Sequence, residues 1–159
     1  MSEDDTDIGF LRRSWRRAAR ARLRMELAGI SFARAQGHTP EEYAWHLWDD
    51  GALPWFGEEF ANARTYLMTE VESFRTLYPD VDYVLDQLGD DFSQLTFVNG
   101  CLGGWGRDQW ATARSVGLRK GHVCRYCREA FRVWSAQLRI DALPEPKPDG
   151  TCVLTVRQP

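Results

Sequence analysis

The hydrophobic period of this chain changes at Pro79, and the change limits the fold to a helical part followed by a mixed part. Before Pro79 the apolar residues recur every three or four positions, which is typical of amphipathic helices. After it, the β-prone stretches 81–87 and 92–98 flank the turn-forming residues 88–91, so an antiparallel hairpin is predicted. We therefore expect an α+β fold whose helical N-terminal half packs on a small antiparallel sheet with two further helices.

The length of 159 residues suits one ordinary domain with a sizeable core. No internal repeat or low-complexity linker divides the chain. We predict a single domain in three parts: a disordered acidic tail at 1–9, a helical part at 10–79, and a cysteine-bearing α+β part at 80–159.

The helical part carries its own start and stop signals. A first helix is predicted to run to about Ala35. Thr39 can cap the next helix, Pro40 suits its first position, and Glu42 stands where it completes a capping box. A third helix should end before Pro79, because proline lacks the amide hydrogen that continues a helix.

The cysteine-bearing part predicts two helices and a closing strand. The first helix should occupy 107–116 and end at Gly117, and the second should begin near Gly121. The three prolines in 144–148 cannot enter a central strand. The alternation after Gly150 predicts a last strand with Cys152 facing inward.

The first helix is amphipathic and strongly basic. On one ridge arginines recur at a spacing of four, and the adjacent ridge is apolar, with Leu11, Trp15, Ala19, Leu23 and Leu27. The net charge of −3 and the absence of a base-reading motif argue against nucleic acid, so we expect a solvated basic face. The apolar ridge could seal the core or the interface of a homo-oligomer, and the sequence leaves both open.

The N-terminus predicts the cellular compartment. It is acidic and lacks the positive segment and apolar run of a secretory signal. No stretch approaches the 18 or so apolar residues of a membrane span. We expect a cytoplasmic protein with reduced thiols and no membrane partner.

All four cysteines, Cys101, Cys124, Cys127 and Cys152, lie in the last 60 or so residues. Cys124 and Cys127 are three positions apart near a predicted helix start, where the helix dipole favours a thiolate. One hypothesis is therefore a catalytic site with Cys124 as nucleophile, completed by Cys101 and Cys127. Asp108 or His122 would then carry the proton.

Two other hypotheses remain open for these thiols. Cys101, Cys124, Cys127 and Cys152 could converge on Zn²⁺ or an iron–sulfur cluster, although a standard zinc module has two close pairs and this chain has one. Alternatively, Cys127 on an apolar stripe and Cys152 on an apolar strand face could be small buried hydrophobic residues.

The aromatic residues suggest where a small molecule could bind. Trp48 and Trp55 of the helical part, with Trp105 and Tyr126 of the cysteine-bearing part, are candidates to line a substrate pocket. Such a pocket requires the two parts to pack together over the cysteines.

From about Asp91 onward the chain resembles the L-2-amino-thiazoline-4-carboxylate hydrolases and their uncharacterised bacterial relatives. The resemblance rests on a strand leading into Cys101, a helix, a cysteine site at Cys124, and a terminal strand holding Cys152. It implies an α+β fold and thiol-dependent hydrolysis of a carbon–nitrogen bond in a small cyclic amidine-like substrate. Many members have an acid three positions after the middle cysteine, where this chain has Cys127, a difference that favours a metal site or another substrate.

The sequence as a whole predicts a small-molecule enzyme, a cysteine-dependent hydrolase-like catalyst. The alternative is a small-molecule-binding or sensor domain that holds zinc or an iron–sulfur cluster through its cysteines.

Overall fold

The computed structural model describes residues 3–56, 61–78, 81–100 and 109–159. Its helices are α1 (Glu3–Ala35), α2 (Pro40–Trp48), α3 (Leu53–Phe56), α4 (Ala63–Leu77), α5 (Gln109–Ser115) and α6 (Lys120–Ala136). Its strands are β1 (Tyr83–Leu88), β2 (Phe92–Phe97), β3 (Asp141–Pro146) and β4 (Cys152–Arg157). The predicted α+β class is confirmed.

Hydrogen bonds to side chains cap the first turns of the helices α2, α4 and α6. The Thr39 hydroxyl accepts from the Glu42 amide at 3.1 Å, and the Glu42 carboxylate accepts from the Thr39 amide at 2.7 Å. This confirms the predicted capping box of α2. A second box at α4, between Asn62 and Thr65, was not predicted.

The first helix differs from its prediction at the N-terminal end. α1 begins at Glu3, so residues 3–9, which we predicted to belong to a disordered acidic tail, are helical. The apolar ridge enters the core only from Ala19 onward. Leu11 and Trp15, on the same ridge, are exposed.

The sheet is antiparallel, in the order β1-β2-β4-β3. The β1–β2 hairpin confirms its prediction, and β4 pairs with β2 so that Leu95 lies beside Leu154 in the core. β3 was not predicted as a strand. It holds Pro144 because it lies at the sheet edge, where a missing backbone donor is tolerated.

The core consists of two clusters that meet at α6. One joins the sheet to α4, and Phe131 and Trp134 of α6 pack against it. The other joins α1, α2 and α5, and it includes Val123 and Tyr126 of α6. Gly51 approaches so closely that an added Cβ would lie 2.8 Å from the Trp134 ring. The helical half and the cysteine-bearing half therefore pack together, as the predicted pocket requires.

Of the helices in the described ranges, none combines the length and apolar content that crossing a membrane demands.

We predict that Leu27→Ala destabilises the fold by about 2–5 kcal/mol, because the Leu27 side chain is 1% exposed and its truncation leaves a cavity. Met25, two residues away on the same helix, is 75% exposed, so Met25→Ala should change stability by less than about 0.5 kcal/mol. Urea unfolding followed by tryptophan fluorescence measures both. Equal losses in the two variants would contradict the placement of α1 against the core.

Candidate functional site

Helix α6 carries Cys124 and Cys127 three residues apart, so both side chains share one side of the helix. With Cys152 at the start of β4 they line a small space, which we call the thiol recess. Its volume is about 30 Å³, enough for about one water molecule. The structure thus brings together three of the four predicted thiols, in a space too small for an organic substrate.

The predicted four-thiol metal site depends on Cys101, which lies outside the described residues. Gly100, directly before it, lines the thiol recess. Among the residues that are described, no group of three or more His, Cys, Asp or Glu side chains is arranged to hold a metal ion. Asp108, the predicted proton carrier, also falls outside the described residues.

His122 lies in the first turn of α6, where its Nδ1 accepts a hydrogen bond from the Arg119 amide at 3.1 Å. Burial and the nearby guanidinium groups of Arg34, Arg119 and Arg125 lower its pKa. His122 is not among the described residues that line the thiol recess or the larger cavity below. Its observed role is to cap the helix.

A larger cavity of about 290 Å³ lies between α1, α4 and α6, at the small end of the size range of ligand pockets. We call it the Glu70 cavity. Its walls are largely aromatic and aliphatic, with polar groups from Arg22, Glu26, Glu70, Ser73 and Tyr78. Cys127 lines this cavity as well as the thiol recess, whereas Cys124 lines only the recess.

Glu70 is the most strongly perturbed acid in the cavity. Burial raises its pKa to about 7, and the nearby polar groups of Tyr66 and Trp134 only partly oppose that rise. Tyr66 is fully buried, and its own pKa is raised by burial, by Glu70 and by Cys127. The Glu70 carboxyl and the Cys127 sulfur therefore lie near the same hydroxyl.

Glu26 is a second acid that lines the cavity. Burial raises its pKa, while Arg22, 4.0 Å away, and hydrogen bonding with Tyr126 and Tyr78 favour the charged form. Arg22 also lies over the Tyr78 ring, 5.4 Å from its centroid. Glu26 lies beside the guanidinium group of Arg22, whereas no cationic group contributes to the pKa shift of Glu70. The two carboxyls therefore differ in electrostatic environment.

The structure brings two predicted pocket residues together. The Trp48 indole donates to the Tyr126 hydroxyl at 2.9 Å, and both side chains line the Glu70 cavity. Trp48 also packs edge-on against Trp134 at 5.4 Å between centroids. The side chain of Trp55 and all of Trp105 lie outside what the structure describes.

Sequence reasoning missed Glu26 and Glu70. A usable signal was present, because Glu26 stands three residues after Leu23 and Glu70 three residues after Leu67, each within an apolar stripe. An acid on the buried side of an amphipathic helix indicates a paired or perturbed carboxyl.

We predict that Glu70 makes the protein less stable as the pH rises. The folded state holds the proton up to about pH 7, while the unfolded chain releases it near the ordinary pKa of 4.5. The stabilisation that protonated Glu70 gives the folded state is therefore fully present below pH 4.5. It is lost as the pH rises to about 7, and the free energy of unfolding falls by on the order of 3 kcal/mol. Glu26 acts in the same direction. Urea unfolding between pH 4.5 and 8 measures the slope.

Glu70→Gln should flatten this slope and make the protein more stable than the wild type at pH 8. Glu72→Gln changes an exposed acid on the same helix, so the slope should persist. The same slope in both variants would contradict a protonated, buried Glu70.

No protein-family model, no curated protein and no solved structure matches this chain. The resemblance to the thiazoline-carboxylate hydrolases therefore stays a prediction from the sequence, and the site is described from its own chemistry.

Proposed function

We propose that the protein is a small-molecule enzyme whose substrate occupies the Glu70 cavity. Glu70 carries the proton and Cys127 supplies the nucleophilic sulfur. One observation carries the proposal: a carboxyl with a pKa of about 7 and a thiol line the same cavity, which is large enough for a compact organic molecule. Perturbed carboxyls of this kind are enriched at catalytic sites.

The lining of the cavity favours a compact, planar substrate with a basic nitrogen. Trp48, Phe74, Phe131 and Trp134 supply flat apolar surface, and aromatic faces attract cations. Glu70 and Glu26 can accept hydrogen bonds from a protonated nitrogen. A cyclic amidine-like molecule, which the sequence resemblance implies, meets these requirements.

The chemistry assigned to the cavity is hydrolysis of a carbon–nitrogen bond. The Cys127 thiol loses its proton to the Glu70 carboxylate, and the sulfur bonds to the amidine carbon while the π electrons of its carbon–nitrogen double bond move to nitrogen. Glu70 then passes that proton to the departing nitrogen as the second carbon–nitrogen bond breaks and the double bond re-forms. A water oxygen next bonds to the carbon, the carbon–sulfur bond breaks, and a proton from the water restores the thiol.

Cys127 takes the nucleophile's role in this proposal in place of Cys124, which the sequence favoured. The reason is access, because Cys124 lines only the thiol recess, whose volume is about 30 Å³. Cys124 and Cys152 then shape the recess behind the reacting sulfur.

The rival proposal is a small-molecule-binding or sensor domain that uses its cysteines to hold a metal. Its support is that Cys124, Cys127 and Cys152 line one recess. Elemental analysis of anaerobically purified protein separates the two. Stoichiometric zinc or iron that is lost in Cys124→Ser would favour the metal-binding domain over the enzyme.

We predict that Cys127→Ser lowers turnover of 2-amino-thiazoline-4-carboxylate, or of a related cyclic amidine found by screening, by at least about 10²-fold. Glu70→Gln should lower it by about 10²–10⁴-fold, because the amide cannot exchange a proton. Product formation followed by NMR measures both effects.

Cys124→Ser is the matched control, since it removes a thiol one helical turn away and should keep most of the activity. Glu72→Gln is the corresponding control for Glu70. Equal losses in the two cysteine variants, or full activity in Glu70→Gln, would contradict the assigned roles.

A further inference from the structure

The N-terminal half of α1 presents an apolar stripe that its own chain contacts at Trp15, whose indole donates to the Thr76 carbonyl, and otherwise leaves exposed. Ile8, Leu11 and Trp15 are 53%, 63% and 43% exposed. They continue the line of Ala19 and Leu23, which are buried in the core. One stripe is thus covered over half its length and exposed over the other half.

Positive charge lies beside this exposed stripe. Residues 7–18, which carry it, contain four arginines and one aspartate. Arg12 follows Leu11 and adjoins the stripe, while Arg17 lies on the opposite side of the helix. Two such helices would repel each other if they packed stripe to stripe, so the basic charge favours an acidic surface as the partner.

The chain itself carries a surface of the complementary kind along β1, an edge strand of the sheet. Leu85 and Leu88 are exposed there on the sheet face that also bears the core residue Leu95, while Val84 is exposed on the opposite face. The segment 82–91 contains four aspartates and no lysine or arginine. Asp90 pairs with Arg64 of its own chain, while Asp82 is exposed directly before β1 and Asp91 is exposed directly before β2. We call this segment the β1 surface.

We propose that a second copy of this chain covers both surfaces: residues 7–18 of α1 in each protomer pack on the β1 surface of its partner. A reciprocal two-fold dimer makes this contact twice and leaves neither surface exposed. It buries apolar side chains from both surfaces and sets basic charge against acidic charge. The inference does not depend on the proposed function.

A charge exchange tests the proposal directly. One variant carries Arg12→Glu with Arg16→Glu, and a second carries Asp82→Lys with Asp91→Lys. The wild type should be a dimer by size-exclusion chromatography with light scattering. Each variant alone should dissociate at least about tenfold more readily, because both of its contacts join like charges. An equimolar mixture should restore the dimer, because the mixed pair has two complementary contacts.

Arg13→Glu with Arg17→Glu is the matched control. It changes the net charge of α1 by the same amount on the opposite side of the helix, so the dimer should persist. Far-ultraviolet circular dichroism checks that each variant is folded. Restoration in the mixture also shows that both variants remain competent to assemble.

Three results would overturn the proposal. One is a wild type that stays monomeric up to about 1 mM, where even a weak contact would be populated. Another is a dimer that the Asp82 and Asp91 substitutions leave unchanged. The third is a monomer whose α1 binds phosphatidylserine vesicles and releases them in the Arg12/Arg16 variant, which would assign the stripe to an anionic membrane surface.

Discussion

The burial of helix α6 between two apolar clusters is the interaction on which the rest of the structure depends. Phe131 and Trp134 pack toward the sheet, while Val123 and Tyr126 pack toward α1 and α2. Because one helix serves both clusters, its position sets the distance between the helical half and the sheet. The Glu70 cavity and the thiol recess both have α6 as a wall.

The aromatic side chains that fill the core also shape the cavity. Large rigid rings meet edge to face, as Trp48 and Trp134 do, and such contacts leave space at their margins. A buried carboxyl in that space costs stability unless it is neutral or paired. Glu70 holds its proton up to about pH 7, where roughly half of the carboxyl groups are neutral, and Glu26 has Arg22. Buried carboxyls such as these break the usual rule that acidic side chains lie at the surface, and a few such exceptions are typical of functional sites.

Much of the fold could be predicted from local signals. The capping box at Thr39, the end of α4 before Pro79, and the β1–β2 hairpin each depend on residues within a few positions of one another. β3 could not be predicted, because Pro144 opposes a strand unless the strand lies at an edge. That position follows from its pairing with β4, about ten residues further along the chain.

For the site, the sequence by itself determined the chemical groups: the thiols, the aromatic residues of the pocket and the amphipathic period of each helix. The tertiary structure alone decided which groups meet. It placed Cys127 at the Glu70 cavity and confined Cys124 to the recess. It also raised the pKa of Glu70, because that rise comes from the burial of the carboxyl beneath the elements packed over it. Desolvation depends on what covers a residue, and helical periodicity shows only which side is covered.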